Sequence, residues 1–214
     1  MKRKPKDLRR YTDLTSLFYL LSERKLALRD PGNWDDANDR YYLGLYKSSK
    51  NFQSVLALCF LEASERYHFW QVFAPGRSGV RIRFKTGELL RAVAGQQGLR
   101  MERVEYRLLD DIESVPIDQL PFVKRYGFKD EYEFRMVYES RTRKVHSFDV
   151  AMPLSCIRSI KINPWLHPDL FPYVKKAILS VKGCGSLNVV HSSLIDNETW
   201  KRAGDKVVEK LTSS

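Results

Sequence analysis

The stretch LRRYTDLTSLFYLLSERKLAL, residues 8–28, decides how the chain folds. Leu8 to Thr12 reads as a short strand, and Asp13 stands where a helix N-cap is needed. Leu14, Leu17, Phe18 and Leu21 then recur at helical spacing, and the stripe ends near Glu23. Leu26 and Leu28 alternate with polar neighbours as a second strand, which Asp30-Pro31-Gly32-Asn33 breaks. A strand, a helix and a short strand follow one another without spacers, and Arg10 stands inside the first strand. Charge set within a strand is costly to bury unless it is paired or used.

Outward from this unit, an aromatic-acidic loop, Trp34-Asp35-Asp36-Ala37-Asn38-Asp39, leads into a polar helix carrying Tyr41, Tyr42 and Leu45. Val55 to Leu61 is an almost continuous apolar strand, as expected of a central one. Glu65 to Phe73 reads as helical and stops at Pro75-Gly76. Val80, Ile82 and Phe84 point to one face of the next strand and leave Arg81 and Arg83 on the other. Thr86 caps a short helix through Ala94, Arg100 to Leu108 resumes strand character, and Asp110 to Pro121 is a loop with one helical turn. Tyr132 to Tyr138 and Val145 to Val150 read as a hairpin joined by a basic turn. Ile157 to Ile162 is a strand, Phe171 to Val181 an amphipathic helix, Leu187 to Val190 a last strand, and Trp200 to Leu211 a charged helix. Helices do not alternate regularly with strands, so the fold class is α+β, with a mixed or mainly antiparallel sheet and flanking helices. The expected organisation is a basic N-terminal arm over residues 1–7, one α+β domain over 8–194 and a charged helix or tail over 195–214.

The chain has 214 residues, with 37 Lys and Arg against 26 Asp and Glu, a net charge of +11 and a pI near 9.6. That excess favours polyanions, with nucleic acid ahead of an acidic membrane surface or an acidic protein. Lys124, Arg125 and Lys129 form one of the basic patches and are the nucleic-acid-binding candidates. No apolar run approaches the ~20 residues that span a bilayer, and the basic start of the chain lacks the apolar segment of a secretory signal. Cys59, Cys156 and Cys184 are far apart and show no metal-ligand spacing, which points to free thiols, a cytoplasmic setting and no metal site.

The ordered motifs resemble the bacterial family known as domain of unknown function 2971. The residues that carry the resemblance are the Tyr-containing first strand, the acidic loop, Cys59-Phe60, Phe69-Trp70, Gly79-Val80-Arg81-Ile82-Arg83-Phe84 and Glu131-Tyr132-Glu133-Phe134-Arg135. The chain departs from that family at Leu61, where a small hydroxyl residue is usual, and at Phe69, where Met is common. In layout it is also similar to ADP-ribosyltransferase toxins that modify DNA. These have a basic residue on the first strand, a helix, a short strand and a catalytic Glu on a late strand. The Ser-Thr-Ser strand motif of such enzymes is missing here.

This second resemblance implies that NAD is used and that Glu133 is catalytic, stabilising the cationic sugar formed as nicotinamide leaves. It implies that Arg10 forks onto the pyrophosphate. Tyr11 and Trp34 would stack a ring, and Asn38 and Arg81 would contact the cofactor. Each residue also has an ordinary reading. Glu133 with Arg135 fits an exposed cross-strand pair worth ~0.5 kcal/mol, whose loss would leave stability unchanged. Arg9 and Arg10 fit an extension of the basic arm, Tyr11 and Trp34 fit core aromatics, Asp36 fits a helix cap, and Asp39 with Arg40 fits a surface pair. The leading function is an ADP-ribosyltransferase-like toxin or antiphage effector acting on nucleic acid or protein, with a neutralising or effector-complex protein partner. The alternative is a non-catalytic nucleic-acid-binding module of a defence or mobile-element system. A metal-dependent nuclease comes third, because Arg135 stands where its Lys is needed.

Overall fold

The computed structural model describes residues 5–212. Its first half runs β1 (Asp7–Asp13), α1 (Leu14–Glu23), β2 (Lys25–Arg29), α2 (Ala37–Ser49), β3 (Ser54–Leu61), α3 (Tyr67–Phe73), β4 (Gly79–Lys85) and α4 (Thr86–Val93). The second half runs β5 (Leu99–Arg103), β6 (Glu105–Arg107), β7 (Val123–Arg125), β8 (Glu133–Ser140), β9 (Ser147–Ala151), β10 (Ile157–Ile162), α5 (Phe171–Ser180), β11 (Val189–His191) and α6 (Glu198–Thr212). The class is α+β with a mainly antiparallel sheet and flanking helices. The parallel pairings are β10 with β11 and β6 with β7.

The opening unit forms as its residues dictate. Asp13 accepts a hydrogen bond from the Ser16 N–H at 2.8 Å and starts α1. Leu17, Leu20 and Leu21 bury one stripe, and Arg24 ends the helix in a left-handed conformation at φ 57°. Asp36 likewise caps α2 through the Asn38 and Asp39 N–H groups. Asp7 belongs to β1 and is buried, so the N-terminal arm is shorter than expected, and residues 1–4 of it lie outside the described residues.

β3 is the centre of the sheet. Along one edge it pairs with β8 over its whole length, from Ser54 opposite Ser140 to Leu61 opposite Glu133. Its other edge is shared: β1 meets it at Leu61, through Arg9, and β2 meets it at Ala57, through Arg29. Between those two points the strands diverge, and the sheet splits into a β1–β4–β10–β11 limb and a β2–β9 limb. The expected hairpin of β8 with β9 does not form. β8 pairs with β3 and β5, and β9 crosses to β2. The basic turn between them is a connection between different parts of the sheet, and alternation alone does not distinguish the two pairings.

The main core lies on one face, where Leu56, Leu58, Phe60, Phe134, Met136 and Tyr138 pack with the α1 leucines. The opposite face of β3 and β8 packs Val55, Ala57 and Val137 against Leu43 and Tyr46 of α2 and against Leu120 and Phe122. Near the end of β1, Tyr11, Leu61, Phe69, Trp70 and Ala74 form a third cluster beneath α3. No helix among the described residues is long and apolar enough to cross a membrane.

Candidate functional site

Where β1 and β2 diverge, a cleft of about 310 Å³ opens, lined by Arg10, Thr12, Ser16, Tyr19, Lys25 and Arg29 among others. Leu58 and Ile82 also line it. The split explains the position of Arg10. A backbone carbonyl that loses its strand partner needs another donor, and Arg10 Nη1 donates to the Cys59 carbonyl at 3.1 Å. Burial lowers the Arg10 pKa from its ordinary value.

The Cys59 side chain lies on the other side of the same residue, on the sheet face that carries Arg135 and Glu133. Burial, and then the charge of Glu133, push this thiol well above its usual range. Cys59 therefore stands between Arg10 and Glu133, one bonded to its backbone and the other beside its side chain.

Glu133 begins β8 and is 2% exposed. Its Oε1 accepts from Arg135 Nε at 2.7 Å, and its Oε2 lies 3.5 Å from Lys124 Nζ. Burial alone would raise its pKa. Arg135 and Lys124, with the Cys59 thiol, reverse that and hold it at about 2. Arg135 is itself fully buried. Its remaining nitrogens fork onto Asp39 at 3.1 and 2.8 Å, and Nη1 also donates to the Pro121 carbonyl at 2.8 Å. The Trp34 ring lies 5.2 Å from the Arg135 guanidinium carbon. Lys124 Nζ lies 2.8 Å from Glu131 and 3.7 Å from Asp39. Burial pushes the Asp39 and Glu131 pKa values up, more than their cationic neighbours pull them down.

This buried cluster holds three carboxylates (Asp39, Glu131, Glu133) and two cations (Lys124, Arg135). It is an acidic nucleus in a basic protein. A buried ion pair of this kind is held by geometry and full hydrogen bonding, and removal of one partner strands the other.

Several expectations are corrected here. Glu133 and Arg135 are not an exposed cross-strand pair, because both are buried in the cluster. Asp39 is not a surface partner of Arg40, since it is buried and forked by Arg135. Lys124 does not offer its amine to a nucleic acid, because Glu131, Glu133 and Asp39 surround it. Arg125 and Lys129 are exposed, and Lys129 bonds the Tyr126 hydroxyl at 2.8 Å.

The other candidates disperse. Arg10 lines the cleft, and Trp34 lies over Arg135. Tyr11 is buried edge-on against Trp70, with ring centroids 5.0 Å apart. Asn38 is exposed beside Asp36, its side chain 3.3 Å from the capping carboxylate. Arg81 is buried in β4 and lies 3.7 Å from Glu65.

Sequence reasoning missed the cleft residues Thr12, Ser16, Tyr19, Lys25 and Arg29, which share no motif and meet only through the split. It also missed a cluster at Glu65, which accepts from Trp70 Nε1, Ser192 Oγ and Lys161 Nζ at 3.0, 2.6 and 2.6 Å. Glu65 directly before an aromatic helix was the available signal.

No protein-family model matches the chain, and no curated protein matches its sequence. Among solved structures, three of DarT from Thermus sp. 2.9 are similar. The complexes with ADP-ribosylated ssDNA and with NAD+ each show 12% identity and a TM-score of 0.46, covering 90% of this chain and 98% of that chain. The complex with carba-NAD+ shows 12% identity and a TM-score of 0.43, covering 88% of this chain and 96% of that chain.

Proposed function

We propose that the chain is an ADP-ribosyltransferase-like enzyme that takes NAD into the Arg10 cleft and modifies a nucleic acid, as a toxin or antiphage effector. The observation that supports this reading is that Arg10 and Glu133 both lie against Cys59 where the sheet splits, Arg10 from the cleft side through the Cys59 carbonyl and Glu133 on the opposite face, which carries the Cys59 side chain. NAD, when bound, supplies an ADP-ribosyl group with nicotinamide as its leaving group. The lining fits part of such a molecule. Arg10, Lys25 and Arg29 offer cationic donors suited to a pyrophosphate. The cleft, at about 310 Å³, takes only a portion of a dinucleotide.

Glu133 contributes a fixed negative charge. Its pKa of about 2 keeps it ionised at every pH at which the protein would work. Glu133 does not line the cleft, so on this reading its charge acts on a developing sugar cation from across the sheet. Arg135 and Asp39 hold the carboxylate in place and are positioning residues. On this reading the protein works in the cytoplasm, where a protein partner would restrain it.

The test is release of nicotinamide from NAD, measured with and without an oligonucleotide, for the wild type and for Glu133→Gln. Release by the wild type and its loss in the variant supports the enzyme. Equal release by both removes Glu133 from the mechanism. A second reading, a non-catalytic nucleic-acid-binding module, is favoured by the near-complete burial of Glu133 and its two cationic partners. Tight nucleic-acid binding without nicotinamide release under any condition decides for it.

A further inference from the structure

One face of the β1–β4–β10 limb carries a concentration of positive charge that the fold does not neutralise. Arg9 and Arg83 are directly opposite each other across β1 and β4, and Arg81 and Lys161 are directly opposite across β4 and β10. Like charges facing across a sheet destabilise it unless a counter-charge intervenes. Arg158, at the irregularity in β10, reaches the same face.

The fold answers only part of this charge. Buried Asp7 bonds Arg83 at 2.5 and 3.0 Å and Arg158 at 2.6 Å. Glu65 lies 2.6 Å from Lys161 and 3.7 Å from Arg81. Among the described residues Arg9 donates to carbonyls, those of Asp7 and Glu62. Arg9, Arg81, Arg83, Arg158 and Lys161 therefore share the two carboxylates Asp7 and Glu65. Arg81 Nε is buried without a hydrogen-bond partner among the described residues. Burial and the charges of Arg81 and Arg83 lower the Arg9 pKa, more than Asp7 raises it, in keeping with a net positive field. α3 covers the Tyr11 end of the face, while the Arg83 and Arg158 side chains stay 37% and 36% exposed.

Aromatic rings line the rim. Arg66 lies over the rings of Phe69 and Tyr132, 5.6 and 5.7 Å from their centroids. Tyr132 is exposed and held at φ 48°, a left-handed conformation that an aromatic residue rarely adopts. Its carbonyl accepts from the Glu62 N–H at 2.8 Å, and Glu62 in turn accepts from Arg9. Exposed Tyr67 packs edge-on against Trp165 near the other end. Cations spaced by the sheet repeat, with exposed rings beside them, match a sugar-phosphate backbone whose bases are free to stack.

We infer that this sheet face, which is the face of Glu133 and opposite that of Arg10, binds a single strand of nucleic acid, with phosphates on Arg9, Arg83 and Arg158 and a base on Tyr132, directly before Glu133. The inference rests on the nucleic-acid part of the proposed function but not on NAD chemistry. It replaces the Lys124 patch as the principal contact.

The test is fluorescence anisotropy with a labelled single-stranded DNA oligonucleotide and its RNA counterpart, without NAD, over a range of salt. With three phosphates neutralised, by Arg9, Arg83 and Arg158, log affinity should fall with log salt at a slope of about −2. Arg9→Ala and Arg83→Ala should each weaken binding roughly tenfold and reduce the slope by about 0.7. Tyr132→Ala should weaken binding roughly tenfold without changing the slope. Asp7→Asn removes the internal counter-charge and should tighten binding, a gain that damage to the fold would not produce. The double variant Lys176→Ala/Lys206→Ala, on the exposed faces of α5 and α6, should bind like the wild type. Either nucleic acid binding in this way supports the site, and the tighter of the two names the partner. Weaker binding by Asp7→Asn, equal losses in the Lys176/Lys206 control, or a duplex bound as tightly as a single strand overturns it. Failure of nicotinamide release alongside these binding results would remove the transferase reading and leave the surface in place.

Discussion

Glu133→Gln perturbs the buried cluster by one charge while preserving its shape. In the folded protein, burial opposes the ionised form, but Arg135 and Lys124 prevail and hold the pKa at about 2 against an ordinary 4.5. Each pKa unit corresponds to about 1.4 kcal/mol between protonation states, so the ionised form is favoured on folding by about 3 kcal/mol. Gln resembles the neutral form, and the variant should lose about that amount. For a chain of this length the loss corresponds to a fall in Tm of roughly 6–12 °C. The stability is therefore expected to change substantially, in contrast to the unchanged stability expected of an exposed pair.

The sign with pH follows from the depressed pKa. Below about 2 both folded and unfolded forms are protonated and the charge contributes nothing. The contribution is complete above the unfolded value near 4.5 and is lost as pH falls through the folded value. Urea titrations of both proteins at pH 7 and near pH 3 should show the difference shrinking as acid is added. Glu131→Gln provides the contrast. Its pKa is raised by burial, so the fold prefers the neutral form, and this variant should be neutral or slightly stabilising at pH 7. A Glu133→Gln protein as stable as the wild type at pH 7 would refute the reasoning, because Arg135 would then tolerate the loss of a buried partner at no cost.

Arg10→Ala removes the donor to the Cys59 carbonyl and a cation from the cleft, and should weaken NAD binding by calorimetry at least tenfold, the loss typical of a charged hydrogen bond. Gly79→Ala would place a Cβ 2.5 Å from the Ala74 carbonyl and 2.8 Å from Asn163 Nδ2. It should destabilise the protein by about 2 kcal/mol or more in chemical denaturation, as expected for overpacking against backbone. Asp13→Ala removes the α1 cap and should cost about 1 kcal/mol. Asp13→Asn should recover most of that, because its side-chain oxygen still accepts from the Ser16 N–H.

The local elements were legible in the sequence because their causes lie within a few residues. Asp13 and Asp36 announce their helices, the Leu17, Leu20 and Leu21 stripe sets the buried side of α1, and Val80, Ile82 and Phe84 fix the two faces of β4. The order of strand, helix and strand that brings Arg10 to the cleft was legible for the same reason. The tertiary structure decided the rest. Alternating residues show that β8 and β9 are strands but carry no address for their partners, so only assembly of the sheet assigns β8 to β3 and β9 to β2. Charged residues read in sequence as solvent-exposed, since burial requires partners. For Arg135 those partners include Asp39, which is 96 residues away. Lys124 reads as part of a basic patch until Glu131, Glu133 and Asp39 close around its amine. The divergence of β1 from β2 along β3, on which the candidate site depends, results from two single-residue contacts at Leu61 and Ala57. Such contacts leave no periodic trace, because they arise from how the limbs of the sheet pack and not from any local preference of the chain.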